Sequence, residues 1–461
     1  MLVVSLVLGV VLGQLPDVDA MDLVPRLGAR RYLDRETASG QLEQLGRKAM
    51  LALQTAREFK DPEVRIRAAS ILHKIEGSLL TKPTLVTMDF ENETLAKVAA
   101  SIGEQSGIKI QLVPDNAPHW KTRKVTIKEK APLTFWKALD QFCEVGRVQY
   151  NVTPQPGPNG REAVLTLFEG GMKPTSPVCD SGPFRTTVMS LFYKHEVNFP
   201  PVRLPGPPRG IAPAPGASGP TDGRPAPAFD KQFFALLQIS GEPRLTLSQT
   251  GPLKIIEAVD DKGQALAPGA SRGMGNQRLQ GYYGMATGTV LQQQAVLTRP
   301  EVPGKTIRTL KGSIPVLVST RKPGPLAIKL EGAAGKTFKN DEVAITVHEI
   351  RQIPNSRQTS VELSVRPSGG ANPGFGSPTP LSDLPGGRPE LFQSQFDIFD
   401  AEGHPLNWFP SNFDVEAGRM TLLTMATPDP NVKSTPAEIR FFSLARAATE
   451  VNFEFNDLPL P

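Results

Sequence analysis

The sequence predicts a multidomain α+β protein. Its parts are an N-terminal helical hairpin, a small β-α-β-type α/β module, and a C-terminal half of antiparallel β-sandwich-like domains. Three observations predict this. Two runs with helical spacing flank Asp61-Pro62. A strand-helix-strand pattern occurs twice between residues 85 and 168. Beyond residue 184, helical spacing gives way to a series of alternating apolar runs separated by turn residues. With 461 residues the chain is too long for one ordinary core.

At the N-terminus, Leu2–Gly13 is an apolar run broken only by Ser5. A membrane-spanning helix needs roughly 20 residues, and this run has the length of a signal-peptide core. Val18-Asp19-Ala20 offers a cleavage site. Residues 1–20 are therefore expected to be a signal peptide, with the mature chain beginning near Met21 or near Gln14. That places the protein in an extracytoplasmic, periplasmic or secreted, bacterial location. The run has no Lys or Arg before it, and a buried element at an unprocessed N-terminus is the alternative. No later segment reads as a transmembrane helix.

Residues 21–82 are expected to form a helical pair. Leu42, Leu45, Ala49 and Leu53 share one face of the first helix; Val64, Ala68, Ile71, Leu72 and Ile75 share one face of the second. Asp61 is a suitable N-cap, Pro62 suits the first helical position, and Gly77 is a stop signal. Asp61-Pro62-Glu63-Val64-Arg65 resembles the start of a second helix in a HEAT-type repeat. Stacked repeats need about three units to bury a core, so this single pair implies packing on a neighbour.

Residues 83–170 are expected to be the α/β module. Val86, Met88 and Phe90 alternate; Leu95, Val98, Ala99 and Ile102 form a helical face; Gly107 ends it; Ile108, Ile110 and Leu112 alternate again. The pattern recurs with Val125 and Ile127, then Phe135, Trp136, Leu139, Phe142 and Cys143, then Gly146 as a stop, then Val148, Tyr150 and Val152. Ala163–Phe168 closes the unit. The stretch from Val86-Thr87-Met88-Asp89-Phe90 through Gly107-Ile108-Lys109-Ile110, followed by Lys124-Val125-Thr126-Ile127, Ala138-Leu139, Phe142 and Tyr150, resembles the short N-terminal domain shared by secretins and TonB-dependent receptors. The resemblance implies a small periplasmic α/β fold that mediates protein contacts and carries no catalytic residues. The chain shows no strand series long enough for a transmembrane barrel and no secretin pore domain, so a channel is not implied.

The remainder reads as a β-rich domain over 184–305, with a disordered loop at 200–230, and a β-sandwich-like domain over 306–461. Ala267–Gly284 and Pro367–Pro389 read as further long loops. An internal repeat links the two halves: Val259-Asp260-Asp261-Lys262-Gly263-Gln264-Ala265-Leu266 parallels Phe399-Asp400-Ala401-Glu402-Gly403-His404-Pro405-Leu406. Each reads as a strand ending in a tight turn. Asp accepts backbone N–H groups, Gly supplies positive φ, and Leu restarts the next strand.

The chemistry is sparse. The net charge is +5, from 51 basic and 46 acidic residues. The basic residues are scattered without interleaved aromatics, which excludes an extended nucleic-acid face. His73, His119, His195, His348 and His404 show no metal-ligand spacing, and neither cysteine has a CxxC partner. Gly273-Met274-Gly275 has no strand before it and no helix after it, so no dinucleotide site is expected. Asp260-Asp261 and Asp341-Glu342 are the densest paired carboxylates, and both have ordinary turn or strand-entry roles. No catalytic residue, cofactor or metal is expected. Two candidate features remain. Cys143 and Cys179 could pair in an oxidising compartment. Trp408 and Phe409 could stack on a sugar if exposed. The function expected is extracytoplasmic protein interaction or envelope scaffolding without catalysis, with an envelope or secreted protein as partner. The alternative is a carbohydrate-binding or carbohydrate-processing accessory role.

Overall fold

The computed structural model describes residues 19–153, 164–170, 176–198, 228–267, 287–340, 342–354, 356, 358–368, 395–414, 419–424 and 435–460. The expected signal run, most of the loop at 200–230 and of the other two long loops, Gly273-Met274-Gly275 and Asp341 lie outside them; residues 228–230 of the expected loop begin a strand instead. The fold is mixed α+β with several antiparallel sheets. The chain divides into two compact units. One comprises Met1–Thr84, Gln155–Glu162 and Ser319–Ala447; the other comprises Leu85–Pro154, Ala163–Val318 and Ala448–Pro461.

In the first unit the helices Tyr32–Leu45, Met50–Thr55 and Pro62–Thr81 enclose Leu27, Leu42, Leu53, Val64, Ala68, Ile71 and Ile75. Asp61 caps the last of them, its Oδ1 accepting from the Glu63 N–H at 2.9 Å, and Pro62 occupies the first turn. Two expectations are corrected. The first helix is broken at Gly46, whose φ of +54° suits glycine. Gly77 does not stop the second helix, which continues to Thr81. An interior glycine costs about 1 kcal/mol, and burial of Leu80 in the following turn offsets it.

The same unit holds two sheets. One has the strand order Thr337–Lys339, Val343–Gln352, Thr359–Pro367, Arg419–Thr424, Trp408–Asp414; the other has Leu326–Lys329, Glu438–Phe441, Phe396–Phe399, Pro405–Leu406. Alternate side chains of both sheets enter one core, among them Ile345, Val361, Leu363, Phe396, Leu422 and Phe441. Arg321 forks onto the buried Asp397, Nη1 to Oδ2 at 2.8 Å and Nη2 to Oδ1 at 2.9 Å.

In the second unit, residues 85–169 form the α/β module. Helices Leu95–Ser106 and Phe135–Gly146 pack Leu95, Val98, Ile102, Phe135, Leu139 and Phe142 into one core with Val125, Ile127, Leu165 and Leu167. Ile110–Val113 runs parallel to Val164–Glu169, which pairs antiparallel with Val148–Thr153. Thr94 caps the first helix, and Gly107, at φ +67°, ends it. The second helix departs from the expected stop. Gly146 remains helical and Arg147 takes the left-handed position, at φ +51°. Gly146 instead lets the helix approach Leu95 closely, since a Cβ there would lie 3.0 Å from Leu95 Cδ2 and that side chain would have to shift.

The rest of this unit is a sheet with the order Val290–Leu297, Ala228–Gly241, Phe184–Asn198, Val178–Ser181, and a second sheet with the order Lys254–Asp260, Thr306–Arg321, Thr246–Gln249, Thr287–Gly288. Leu444–Pro459 pairs with Thr306–Arg321. This corrects the expected boundary at 305/306. Asp260 pairs with Ile307, so Thr306–Arg321 completes the earlier sheet instead of opening a new domain. Pro300 and Pro303-Gly304, just before this strand, mark a turn between strands of one unit and not a domain boundary.

The two pairs of sheets repeat one plan. Val178–Ser181, Phe184–Asn198, Ala228–Gly241 and Val290–Leu297 neighbour one another in the same order as Thr337–Lys339, Val343–Gln352, Thr359–Pro367 and Arg419–Thr424. Lys254–Asp260 pairs with Thr306–Arg321 as Phe396–Phe399 pairs with Glu438–Phe441. The first-named sheets differ at one edge: Trp408–Asp414 covers Arg419–Thr424, whereas Val290–Leu297 is terminal among the described residues; outside the shared pair the second sheets also differ.

Candidate functional site

The repeated turn is built twice from the same bonds. The Asp260 N–H donates to Gln264 O at 3.0 Å and the Gly263 N–H to Asp260 O at 3.0 Å; the Asp400 N–H donates to His404 O at 2.9 Å and the Gly403 N–H to Asp400 O at 3.2 Å. Asp260 Oδ1 accepts from the N–H groups of Lys262 (3.0 Å) and Gln264 (2.7 Å). Asp400 Oδ1 accepts from those of Glu402 (3.1 Å) and His404 (2.7 Å). Gly263 and Gly403 both have left-handed φ, +79° and +82°. Even the fifth side chain returns to the aspartate: Gln264 Nε2 lies 2.8 Å from Asp260 Oδ2, and His404 Nδ1 lies 3.2 Å from Asp400 Oδ2.

These contacts account for the carboxylates. Burial pushes the Asp260 carboxyl up, but N–H groups from Gln264, Gly304 and Lys262 outweigh it and hold the group below its ordinary value. Asp261 Oδ1 accepts from the Lys305 N–H at 2.9 Å. Asp400, Glu402 and His404 place one ligand atom each within 4.8 Å of one another. Sequence reasoning did not bring these three together. In the matching turn Lys262 stands where Glu402 does, and the same backbone bonds form, so the turn itself explains the Asp400 geometry. Of the other acid pair, Glu342 Oε1 accepts from Lys322 Nζ at 3.0 Å.

Arg185 forms the densest polar node, and sequence reasoning missed it. Its side chain is only 4% exposed. Nη1 and Nη2 each lie 2.6 Å from an Asp140 oxygen, Nε and Nη2 lie 2.7 and 2.8 Å from Asp180, and Nη1 lies 2.8 Å from the Tyr150 hydroxyl. The guanidinium carbon sits 5.0 Å from the centre of the Trp136 ring, whose Nε1 donates to Pro183 O at 3.1 Å. Burial works against the Arg185 charge, but the hydrogen bonds it donates to Asp180 and Asp140 outweigh it and raise its pKa above the usual arginine value. Tyr150 is pushed up to about 12 by burial, which the nearby Arg185 only partly opposes. The node locks a helix to a hairpin.

Of the two alternatives for the cysteines, pairing and free thiols, the structure has free thiols. Side chains alternate along a strand. Asp180 faces Arg185 and Asp140, so Cys179 faces the other way, where its Sγ accepts from the Glu454 N–H at 3.5 Å. Cys143 lies one turn beyond Asp140 against the module core. Of the two readings of Trp408, core packing and ligand stacking, the structure has core packing. Trp408 is 4% exposed and packs edge-on against Phe396 in the core, with ring centres 6.3 Å apart, and only Phe409 reaches solvent.

The exposed aromatic surface lies elsewhere. Phe192 stacks on Phe234 with ring centres 5.2 Å apart on the outward face of the Phe184–Asn198 and Ala228–Gly241 strands, beside the exposed Met189. Phe234 pairs in turn with Val296. No helix among the described residues is long and apolar enough to cross a membrane. No family model, curated protein or solved structure matches this chain.

Proposed function

We propose that this is a non-catalytic protein-interaction or envelope-scaffolding protein that acts outside the cytoplasm. The observation that carries the reading is the outward row Phe192, Phe234 and Val296, an apolar strip on a sheet face whose inward residues already fill a core. Apolar surface of this kind marks contact sites more often than chemistry. The structural employment of Asp260, Asp261, Asp400 and Arg185 supports the absence of catalysis. The resemblance of residues 85–168 to the secretin and TonB-receptor short domain, together with the apolar N-terminal run, supports the compartment.

The test compares the full chain with the Phe192→Ser/Phe234→Ser variant, each used to retain material from native bacterial envelope. Retention of a defined envelope protein by the full chain, lost in the variant, is expected. Retention of glycan without protein would replace the proposal with the carbohydrate reading. Equal retention by both chains would overturn it.

A further inference from the structure

A terminal strand exposes a row of unpaired N–H and C=O groups, and folded proteins blunt such edges with charge, proline, bulges or shortness. In the four larger sheets, most edges are blunted in this way. Thr337–Lys339 and Val178–Ser181 are short and carry Lys339 and Asp180. Leu326–Lys329 is short and ends on a lysine. Pro405–Leu406 and Thr287–Gly288 have two residues each. Trp408–Asp414 contains Pro410 and a register shift, and Lys254–Asp260 carries Lys254 and Glu257 with two shifts. Leu444–Pro459 carries Arg446, Glu450 and Glu454.

Among the described residues no strand covers the outer edge of Val290–Leu297, and the strand has none of these protections. It runs Val-Leu-Gln-Gln-Gln-Ala-Val-Leu without charge or proline, and it pairs with Phe233–Ser240 in unbroken register. The matching strand of the repeated plan, Arg419–Thr424, is covered by Trp408–Asp414, so the fold accepts a strand at this position.

We infer that the open edge of Val290–Leu297 pairs antiparallel with the same strand of a second copy of this chain, about a two-fold axis at Gln293. The strand is nearly palindromic about that residue. Gln292 would oppose Gln294, Leu291 would oppose Ala295, and Val290 would oppose Val296, so no charge meets its like. The parity of the ladder fits. The Gly241 N–H donates to Thr289 O at 3.0 Å, so the odd-numbered residues bond inward and Val290, Gln292, Gln294 and Val296 present their N–H and C=O groups outward. Each opposed outward pair then exchanges both bonds, and Gln293 meets its counterpart at the closer, non-bonded spacing. Gln293 Nε2 is buried without a hydrogen-bond partner in the single chain, and rotation of this side chain toward the new interface would let it donate to the amide oxygen of the opposing Gln293. An isologous contact of this kind is self-complementary and closed.

Light scattering on the purified full chain should give twice the 49.9 kDa mass of one chain. The Gln292→Lys/Gln294→Lys variant sets lysine against lysine in this register and should give the single-chain mass, with an unchanged circular dichroism spectrum. The Gln292→Glu/Gln294→Lys variant sets glutamate against lysine twice and should regain the double mass. A single-chain mass for the native protein, a double mass for the lysine pair, or failure of the charge-matched variant to recover would each overturn the arrangement. This readout is independent of any envelope partner.

Discussion

Arg185 holds Asp140 in a fork, Nη1 to Oδ1 and Nη2 to Oδ2 both at 2.6 Å, across 45 residues of sequence. The same guanidinium holds Asp180, five residues away on the neighbouring strand. One side chain thus ties helix Phe135–Gly146 to the hairpin formed by Val178–Ser181 and Phe184–Asn198.

Removing that side chain should loosen the helix. Arg185→Ala leaves two carboxylates facing a vacated site and should cost about 3 kcal/mol, the low end for a broken buried pair because Asp140 is 45% exposed. Arg185→Lys keeps the charge but loses the fork, and should cost about 1–2 kcal/mol. Amide exchange within Phe135–Gly146 under rising urea measures both. Protection within about 0.5 kcal/mol of the native chain in Arg185→Ala would show that the node contributes nothing.

Asp260 predicts an acid limb. Its carboxyl ionises more readily in the fold than in the unfolded chain, where the reference is about 3.9. The stability it contributes is therefore fully present above that reference and is lost as pH falls through the lower folded value. Asp260→Asn has no such ionisation, so its unfolding midpoint should vary less between about pH 5 and pH 2 than that of the native chain. Urea titrations across that window decide it, and parallel curves would exclude the carboxylate as a source of acid sensitivity.

The thiols should behave differently from one another. Burial, reinforced by Asp140 and opposed by Arg185, pushes Cys143 up to about 12, so it carries almost no thiolate at neutral pH. Iodoacetamide should modify Cys179 well before Cys143 in the folded chain, and both should react once the chain is denatured without reductant. Peptide mapping that recovered a Cys143–Cys179 linkage would contradict the geometry of the hairpin.

Features set by neighbours in sequence were legible from sequence alone. The module's helices follow from apolar spacing around Val98 and Leu139, and the repeated turn follows from Asp and Gly three residues apart. Features set by distant pairing were not. No period connects Asp140, Asp180 and Arg185, because a buried charge needs a partner in space and leaves no local pattern. Trp408 precedes an exposed phenylalanine in a strand, and only the sheet order decides which of the two faces the core. Thr306–Arg321 hid a boundary for the same reason, since a single strand runs through the point where the chain leaves one unit for the other. The palindrome around Gln293 is visible in the letters, but that it lies on an edge is not.

The plan that occurs twice gives this single chain a two-member family of its own. What both copies keep is what the architecture demands: an aspartate to collect backbone N–H groups and a glycine, three residues on, to turn the chain. What they do not share marks where each copy was free to diverge. Lys262 faces Glu402 across that comparison, Gln264 faces His404, and one copy has a covering strand that the other lacks among the described residues. Specialisation should therefore be sought in those differences, and ancestry in the aspartate and the glycine.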